Sequence, residues 1–110
     1  TMIETVVAGI LDAARANNWE QCRARRDAAL RGLLDQAADQ RHASVKSLTS
    51  TIIEIDRFLR AFEHQIAAMP IGAAQKERIR VTATASFLQK RQELVSQKRS
   101  VALGRHHITD

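Results

Sequence analysis

The four histidines are the residues best suited to proton transfer or metal binding near neutral pH. His106 and His107 are neighbours in sequence, so a helix would point them about 100° apart. His42 and His64 have no second histidine or cysteine three or four positions away, the spacing that places two ligands on one helix face. The single cysteine, Cys22, cannot form an internal disulfide bond. We therefore predict no metal site and no cofactor.

The acidic residues do not form a recognisable catalytic pair. Glu54 and Asp56 lie two positions apart, which places them on different faces of a helix. The sequence also lacks a phosphate-binding glycine loop, a nucleophile elbow and a dinucleotide-binding fingerprint. We expect a protein without enzymatic activity.

Length and composition predict one domain spanning residues 1–110. Hydrophobic residues make up 45% and charged residues 26% of the 110-residue chain, a balance typical of globular proteins. No apolar run is long enough to span a bilayer, and no segment has the pattern of a signal peptide. We expect a soluble cytoplasmic protein that does not insert into membranes.

Positive charge is concentrated in the C-terminal third. Residues 1–72 hold nine Lys and Arg against nine Asp and Glu, whereas residues 73–110 hold eight against three. An acidic partner surface, nucleic acid or a simple requirement for solubility would each suit this distribution. Charge alone does not choose among them.

Apolar residues spaced by threes and fours predict two helices in the first forty residues. Asn17 and Asn18 separate them, because asparagine suits both the left-handed end of one helix and the N-cap of the next, which begins near Trp19. The second helix fades in the polar stretch 39–42. The first apolar series is Ile3, Val6, Val7, Ile10, Leu11 and Ala14, and the second is Cys22, Ala29, Leu30, Leu33, Leu34 and Ala37.

The third predicted helix carries the strongest pattern. Ser44 is a suitable N-cap, and Pro70 with Gly72 should end the helix after Met69. An unbroken heptad seam of this length is typical of a helix packed lengthwise against others. The seam residues are Val45, Leu48, Ile52, Ile55, Leu59, Phe62, Ile66 and Met69.

The fourth predicted helix, about 73–103, has a thinner seam. Its apolar pairs recur every seven residues, but Thr84, Arg91 and Lys98 stand at the intervening positions. We therefore expect this helix to pack loosely or to exchange between two chains, which would form a homodimer. Short corners make consecutive helices antiparallel, so the predicted fold is an all-α antiparallel bundle of about four helices.

One short segment suggests an enzyme. Residues 54–57, Glu-Ile-Asp-Arg, followed by Leu59, resemble a helix of the small all-helical chorismate mutases, which bind a dicarboxylate with arginines. The arginines expected two turns further on are replaced by Glu63, His64 and Gln65. A site without them would lose its electrostatic stabilisation, so this resemblance is a minor alternative.

Nucleic-acid binding is the principal alternative. The basic C-terminal helix could contact phosphates, as could arginines on the second helix. However, the chain shows no helix-turn-helix or zinc-finger pattern and has few aromatic residues for base stacking. Arg23, Arg25 and Asp27 alternate around the second helix, which suits a solvated surface better than a groove-facing stripe.

Residues 9–20, GILDAARANNWE, resemble the start of the FliT family of flagellar type III export chaperones. In that family a leucine-rich helix turns at a small or polar residue and restarts with an acidic residue beside tryptophan, where this chain has Trp19 and Glu20. Residues 53–60 are similar to a later helix of the family. Residues 102–105 are similar to its closing motif, with Leu103 where an aromatic residue is common.

The resemblance implies a cytoplasmic bacterial chaperone. It would bind the C-terminal helices of the filament-cap protein before export and prevent their premature assembly, with its bundle receiving them helix-in-groove. The resemblance also implies contacts with the export ATPase apparatus and, in enteric bacteria, with the flagellar master transcription regulator.

Candidate contact residues are apolar side chains left over beside the seams. The alternative is that each widens the buried face of the bundle. Trp19 is expected to staple the first corner, and Arg26 to lay its aliphatic stem along apolar surface. The predicted partner-binding residues are Ile53, Phe58, Phe87, Leu88, Leu94 and Val95.

Overall fold

Four α-helices follow one another in the chain: α1 (Met2–Arg15), α2 (Trp19–Ala38), α3 (Val45–Ala67) and α4 (Ala73–Ala102). The computed structural model describes residues 1–38 and 44–104, so the predictions for His42, His106, His107 and the stretch 39–42 lie outside the described residues. No strand occurs within the described ranges. The prediction of an all-α fold with four helices is confirmed.

The corner between α1 and α2 is built by the two asparagines. Asn17 has a positive φ of 57°, the left-handed conformation that asparagine tolerates. Asn18 then caps α2, because its Oδ1 accepts a hydrogen bond from the main-chain N–H of Gln21 at 3.1 Å. The predicted tight corner at Asn17 and Asn18 is confirmed.

Ser44 begins α3 as predicted. It forms a reciprocal capping box in which Ser47 N–H donates to Ser44 Oγ at 3.1 Å and Ser44 N–H donates to Ser47 Oγ at 2.9 Å. The helix ends at Ala67, two residues earlier than predicted. Lys76 from α4 donates to the carbonyl oxygen of Ala67 at 2.9 Å and so satisfies one of the free carbonyls at this helix end.

The α3 seam lies in the core with two exceptions. Val45 is 39% exposed and Leu59 is only partly buried, whereas Phe58 is buried in addition. The predicted seam was a single heptad stripe, but α3 contacts α1, α2 and α4, and three neighbours bury a wider face than such a stripe. The seam residues that are buried are Leu48, Ile52, Ile55, Phe62, Ile66 and Met69.

α4 packs mainly against α3, and the buried residues on its inner face extend as far as Leu94. Phe87 is fully buried, with ring centroids 5.2 Å from Phe58 in a stacked arrangement and 5.5 Å from Phe62 in an edge-to-face arrangement. Beyond Leu94, Val95 and Val101 are only partly buried. Reduced packing of α4 is therefore limited to its C-terminal end.

Two contacts join α2 to α4. The guanidinium of Arg78 lies 4.4 Å from the centre of the Trp19 ring, and Arg26 Nη1 donates to the main-chain oxygen of Thr82 at 2.8 Å. Trp19 is partly buried against the core, as expected of a corner residue. Arg26 does more than cover apolar surface, because its guanidinium connects the two helices.

α1 is much shorter than the bundle it belongs to. With 14 residues it is about 21 Å long, whereas the molecule extends over 52 Å. Its N-terminal turn lies beside the last turns of α3, where Gln65 Nε2 donates to the carbonyl oxygen of Glu4 at 3.0 Å. The described part of α1 therefore covers only the C-terminal half of α3.

Candidate functional site

The groups considered for acid–base or metal chemistry do not converge. In residues 1–38 and 44–104, no cluster of three or more His, Cys, Asp or Glu could hold a metal ion. His64 is exposed on α3. Glu54 pairs with Arg57 on its own helix and Asp56 pairs with Arg91 on α4, so the two carboxylates do point in different directions.

Several arginines that could have contacted phosphates instead hold the bundle together. Arg25 Nη1 donates to the carbonyl oxygen of Gly9 at 2.7 Å and so ties α2 to α1. Arg80 Nε donates to Glu63 at 2.8 Å and Arg91 Nε to Asp56 at 2.6 Å, both between α3 and α4. The hydrogen bonds to Glu77 and Glu63 raise the pKa of Arg80.

The six predicted contact residues are divided between the core and the surface. Phe87 is fully buried, and Phe58 and Leu94 are 7% and 6% exposed. Val95 is partly buried, whereas Ile53 and Leu88 are 44% and 52% exposed. The six therefore do not form one continuous surface. In particular, placing Phe87 on a partner groove is corrected, because its ring is enclosed by its own core.

A concave apolar surface lies where α1 begins, between α2 and α3. We call it the α1–α2 groove, and its volume is about 270 Å³. The residues that line it are Met2, Ile3, Val6, Ala28, Ala29, Gly32, Leu33, Glu54 and Phe58.

Small residues on α2 keep this groove open. Ala28, Ala29 and Gly32 recur at helical spacing along its wall. A Cβ atom added to Gly32 would meet nothing within 4 Å, so no described part of the chain needs the glycine for close packing. A glycine inside a helix nevertheless costs about 1 kcal/mol relative to alanine. The small side chains of this wall therefore allow another helix to approach α2 closely.

A second apolar surface follows the outer face of α4. Val81 and Leu88 are 56% and 52% exposed, and with Ala85 they border a shallow groove of about 350 Å³ beside Leu59. Glu63, Glu77 and Arg80 form linked ion pairs at one end of it. Most of this surface was missed by the sequence predictions, which included only Leu88. Continuing the seven-residue repeat from Leu88 toward the start of α4 would have added Val81.

No protein-family model, no curated protein and no solved structure matches this chain. Every helix in the described ranges is too short or too polar to cross a lipid bilayer. The site must therefore be interpreted from its own geometry. Among the described residues, that geometry includes two apolar grooves on a four-helix bundle.

Proposed function

We propose that this protein is a non-enzymatic chaperone that binds an amphipathic helix of another protein in the α1–α2 groove. The observation that carries the proposal is the combination of a concave apolar floor and a wall of small residues on α2. Groove-binding chaperones and adaptors recognise an amphipathic helix whose apolar residues, at helical spacing, insert into the groove. The groove offers the complementary surface.

The shape of the groove favours a helix over an extended peptide. Packed helices lie about 8–10 Å apart, and the shortest distances require small side chains at the contact. Ala28, Ala29 and Gly32 provide such a contact along α2, while Phe58 and Leu33 supply apolar area on the floor and side. An incoming helix would lie in the groove between α2 and α3.

Following the resemblance to the FliT family, we propose that the bound helices belong to the C-terminal region of a flagellar filament-cap protein. Binding would take place in the bacterial cytoplasm and would cover apolar helix surface that otherwise drives premature assembly. Contacts with the export ATPase apparatus or a flagellar transcription regulator would be further roles of the same chain.

A pair of substitutions at Gly32 tests the proposal. Gly32→Leu should fill part of the groove and weaken binding at least tenfold, while a leucine in the helix also raises its stability. Gly32→Ala is the matched control, because it gives a similar gain in helix propensity with little change in groove volume. Binding is measured by calorimetry with a synthetic peptide of the C-terminal helices of a filament-cap protein, and circular dichroism checks the fold.

Equal affinity of the Gly32→Leu and Gly32→Ala variants for the peptide would reject the groove as the binding site. Failure of the unsubstituted protein to bind the peptide would reject this client. The salt dependence of binding distinguishes helix binding from the alternative, nucleic-acid binding. Binding through apolar contacts should change little between about 50 and 200 mM salt, whereas nucleic-acid binding should weaken by roughly a thousandfold or more.

A further inference from the structure

A regular apolar stripe on the outer face of α4 is not used by the proposed function. Five residues at intervals of seven, Ala74, Val81, Leu88, Val95 and Ala102, form what we call the α4 stripe. Four of them are exposed and Val95 is partly buried. With one apolar residue in every heptad, α4 has a narrow apolar seam on its solvent-facing side that a second helix would cover.

The order of residue sizes along the α4 stripe is symmetric. Reading outward from Leu88 in either direction gives valine and then alanine. A twofold axis through Leu88 would place Val81 opposite the partner's Val95 and Ala74 opposite the partner's Ala102. Such an interface uses the same surface on both molecules, which is the defining property of a twofold dimer.

We propose that the α4 stripe binds a second copy of this chain, with the two α4 helices antiparallel and crossing at Leu88. This inference does not depend on the proposed function, because the α4 stripe and the α1–α2 groove share no residue. The occupant is a second copy, because the symmetric order of sizes lets the α4 stripe pack against an identical stripe in the antiparallel direction, valine against valine and alanine against alanine.

Charge favours the antiparallel arrangement. The register centred on Leu88 brings Glu77 opposite the partner's Arg99, and by symmetry the pair occurs twice. Both residues are exposed, and Glu77 pairs through Oε2 with Arg80 of its own helix, so its other carboxylate oxygen would face the partner's Arg99. A parallel arrangement in the same register would instead place Glu77 against the partner's Glu77 and Arg99 against the partner's Arg99, and like charges repel. The same register brings Lys98 opposite the partner's Arg78, but Arg78 is held over the Trp19 ring and so is directed toward α2, away from the partner.

The area of this interface predicts a weak dimer. The stripe from Ala74 to Ala102 is about 42 Å long, and a helix contact about 10 Å wide would bury roughly 800 Å² over both copies. Stable complexes bury about 1,200–2,000 Å². We therefore expect a dissociation constant on the order of tens of micromolar.

Sedimentation velocity over a concentration series tests the dimer. Leu88→Glu would place two carboxylates at the twofold axis and should raise the dissociation constant roughly a hundredfold. Ile53→Glu is the matched control, because Ile53 is 44% exposed on α3 and Leu88 is 52% exposed on α4. The control should dimerise like the unsubstituted protein. Both variants should keep their helical circular dichroism, since neither side chain is buried.

A charge exchange tests the antiparallel register. Arg99→Glu alone should weaken the dimer roughly fivefold to tenfold by opposing Glu77 with a second acid, and adding Glu77→Arg should restore it. A monomer at millimolar concentration would overturn the proposal, as would equal dimerisation of the Leu88→Glu variant. Failure of the double exchange to restore the dimer would overturn the register. None of these results depends on peptide binding in the α1–α2 groove.

Discussion

Arg91 of α4 donates hydrogen bonds to both carboxylate oxygens of Asp56 on α3, from Nε to Oδ1 at 2.6 Å and from Nη2 to Oδ2 at 3.3 Å. This contact stands at a position where the heptad pattern of α4 lacks an apolar residue. Its hydrogen bonds to Asp56 raise the pKa of Arg91. At this position a two-point ion pair thus takes the place of an apolar contact between α3 and α4.

A double-mutant cycle measures the strength of this pair. We expect Asp56→Asn, Arg91→Gln and the double variant to give a coupling energy of about 1 kcal/mol in chemical unfolding, because the geometry is bidentate although the side chains are partly exposed. The Glu54–Arg57 pair is the control, since it lies within one helix and should give about 0.3–0.5 kcal/mol. Equal coupling in the two cycles would show that Asp56 and Arg91 contribute nothing beyond an ordinary surface pair.

Phe87 should be essential for folding. Its ring is fully buried between Phe58 and Phe62, so Phe87→Ala should lower the free energy of unfolding by about 3–5 kcal/mol. Leu88→Ala, one residue away and 52% exposed, should cost less than about 1 kcal/mol. Thermal and urea unfolding followed by circular dichroism would check both values. Similar losses for the two variants would contradict the described packing of α4.

Ser86 is predicted to tolerate the loss of its hydroxyl. Among the described residues its buried Oγ has no hydrogen-bond partner. A helical serine commonly donates to the carbonyl four residues earlier, but here that carbonyl, of Thr82, already accepts a hydrogen bond from Arg26. Ser86→Ala should therefore raise the free energy of unfolding by about 1 kcal/mol. Thr84→Val should instead lower the free energy of unfolding, because the Thr84 hydroxyl donates to the carbonyl oxygen of Arg80 at 2.6 Å. A destabilised Ser86→Ala variant would refute the prediction.

Cys22 should be unreactive in the folded protein. Its side chain is fully buried, and burial raises the pKa of the thiol above its ordinary value of 9.0, although nearby Arg26, Arg23 and Arg25 offset part of the change. We expect negligible reaction with a thiol reagent at pH 8 until denaturant is added.

The same pKa shift gives stability a pH dependence at the alkaline end. The raised pKa of folded Cys22 contributes stability that is fully present below pH 9.0, the ordinary pKa of the thiol, and is lost as the pH rises through the folded value. Stability should therefore fall above about pH 9 in the unsubstituted protein and less in Cys22→Ala. Parallel pH profiles for the two proteins would contradict this assignment.

Local sequence was sufficient to predict where the helices begin and, to within two residues, where α3 ends. Asn17 with Asn18 forms the first corner and Ser44 caps α3 because capping and left-handed conformations depend on a few neighbouring atoms. The period of the apolar residues likewise predicted four helices and most of the α3 core. These features depend on interactions within a few turns of chain, so they can be read without a fold.

Tertiary structure alone decided which apolar residues remain on the surface. Phe87 and Leu88 are adjacent and equally apolar, yet one is enclosed by two phenylalanine rings of α3 and the other is exposed. The α1–α2 groove depends on where the short α1 lies along α2 and α3, which no local spacing specifies. Burial is a property of the relative placement of helices, and that placement is set by packing among all four of them.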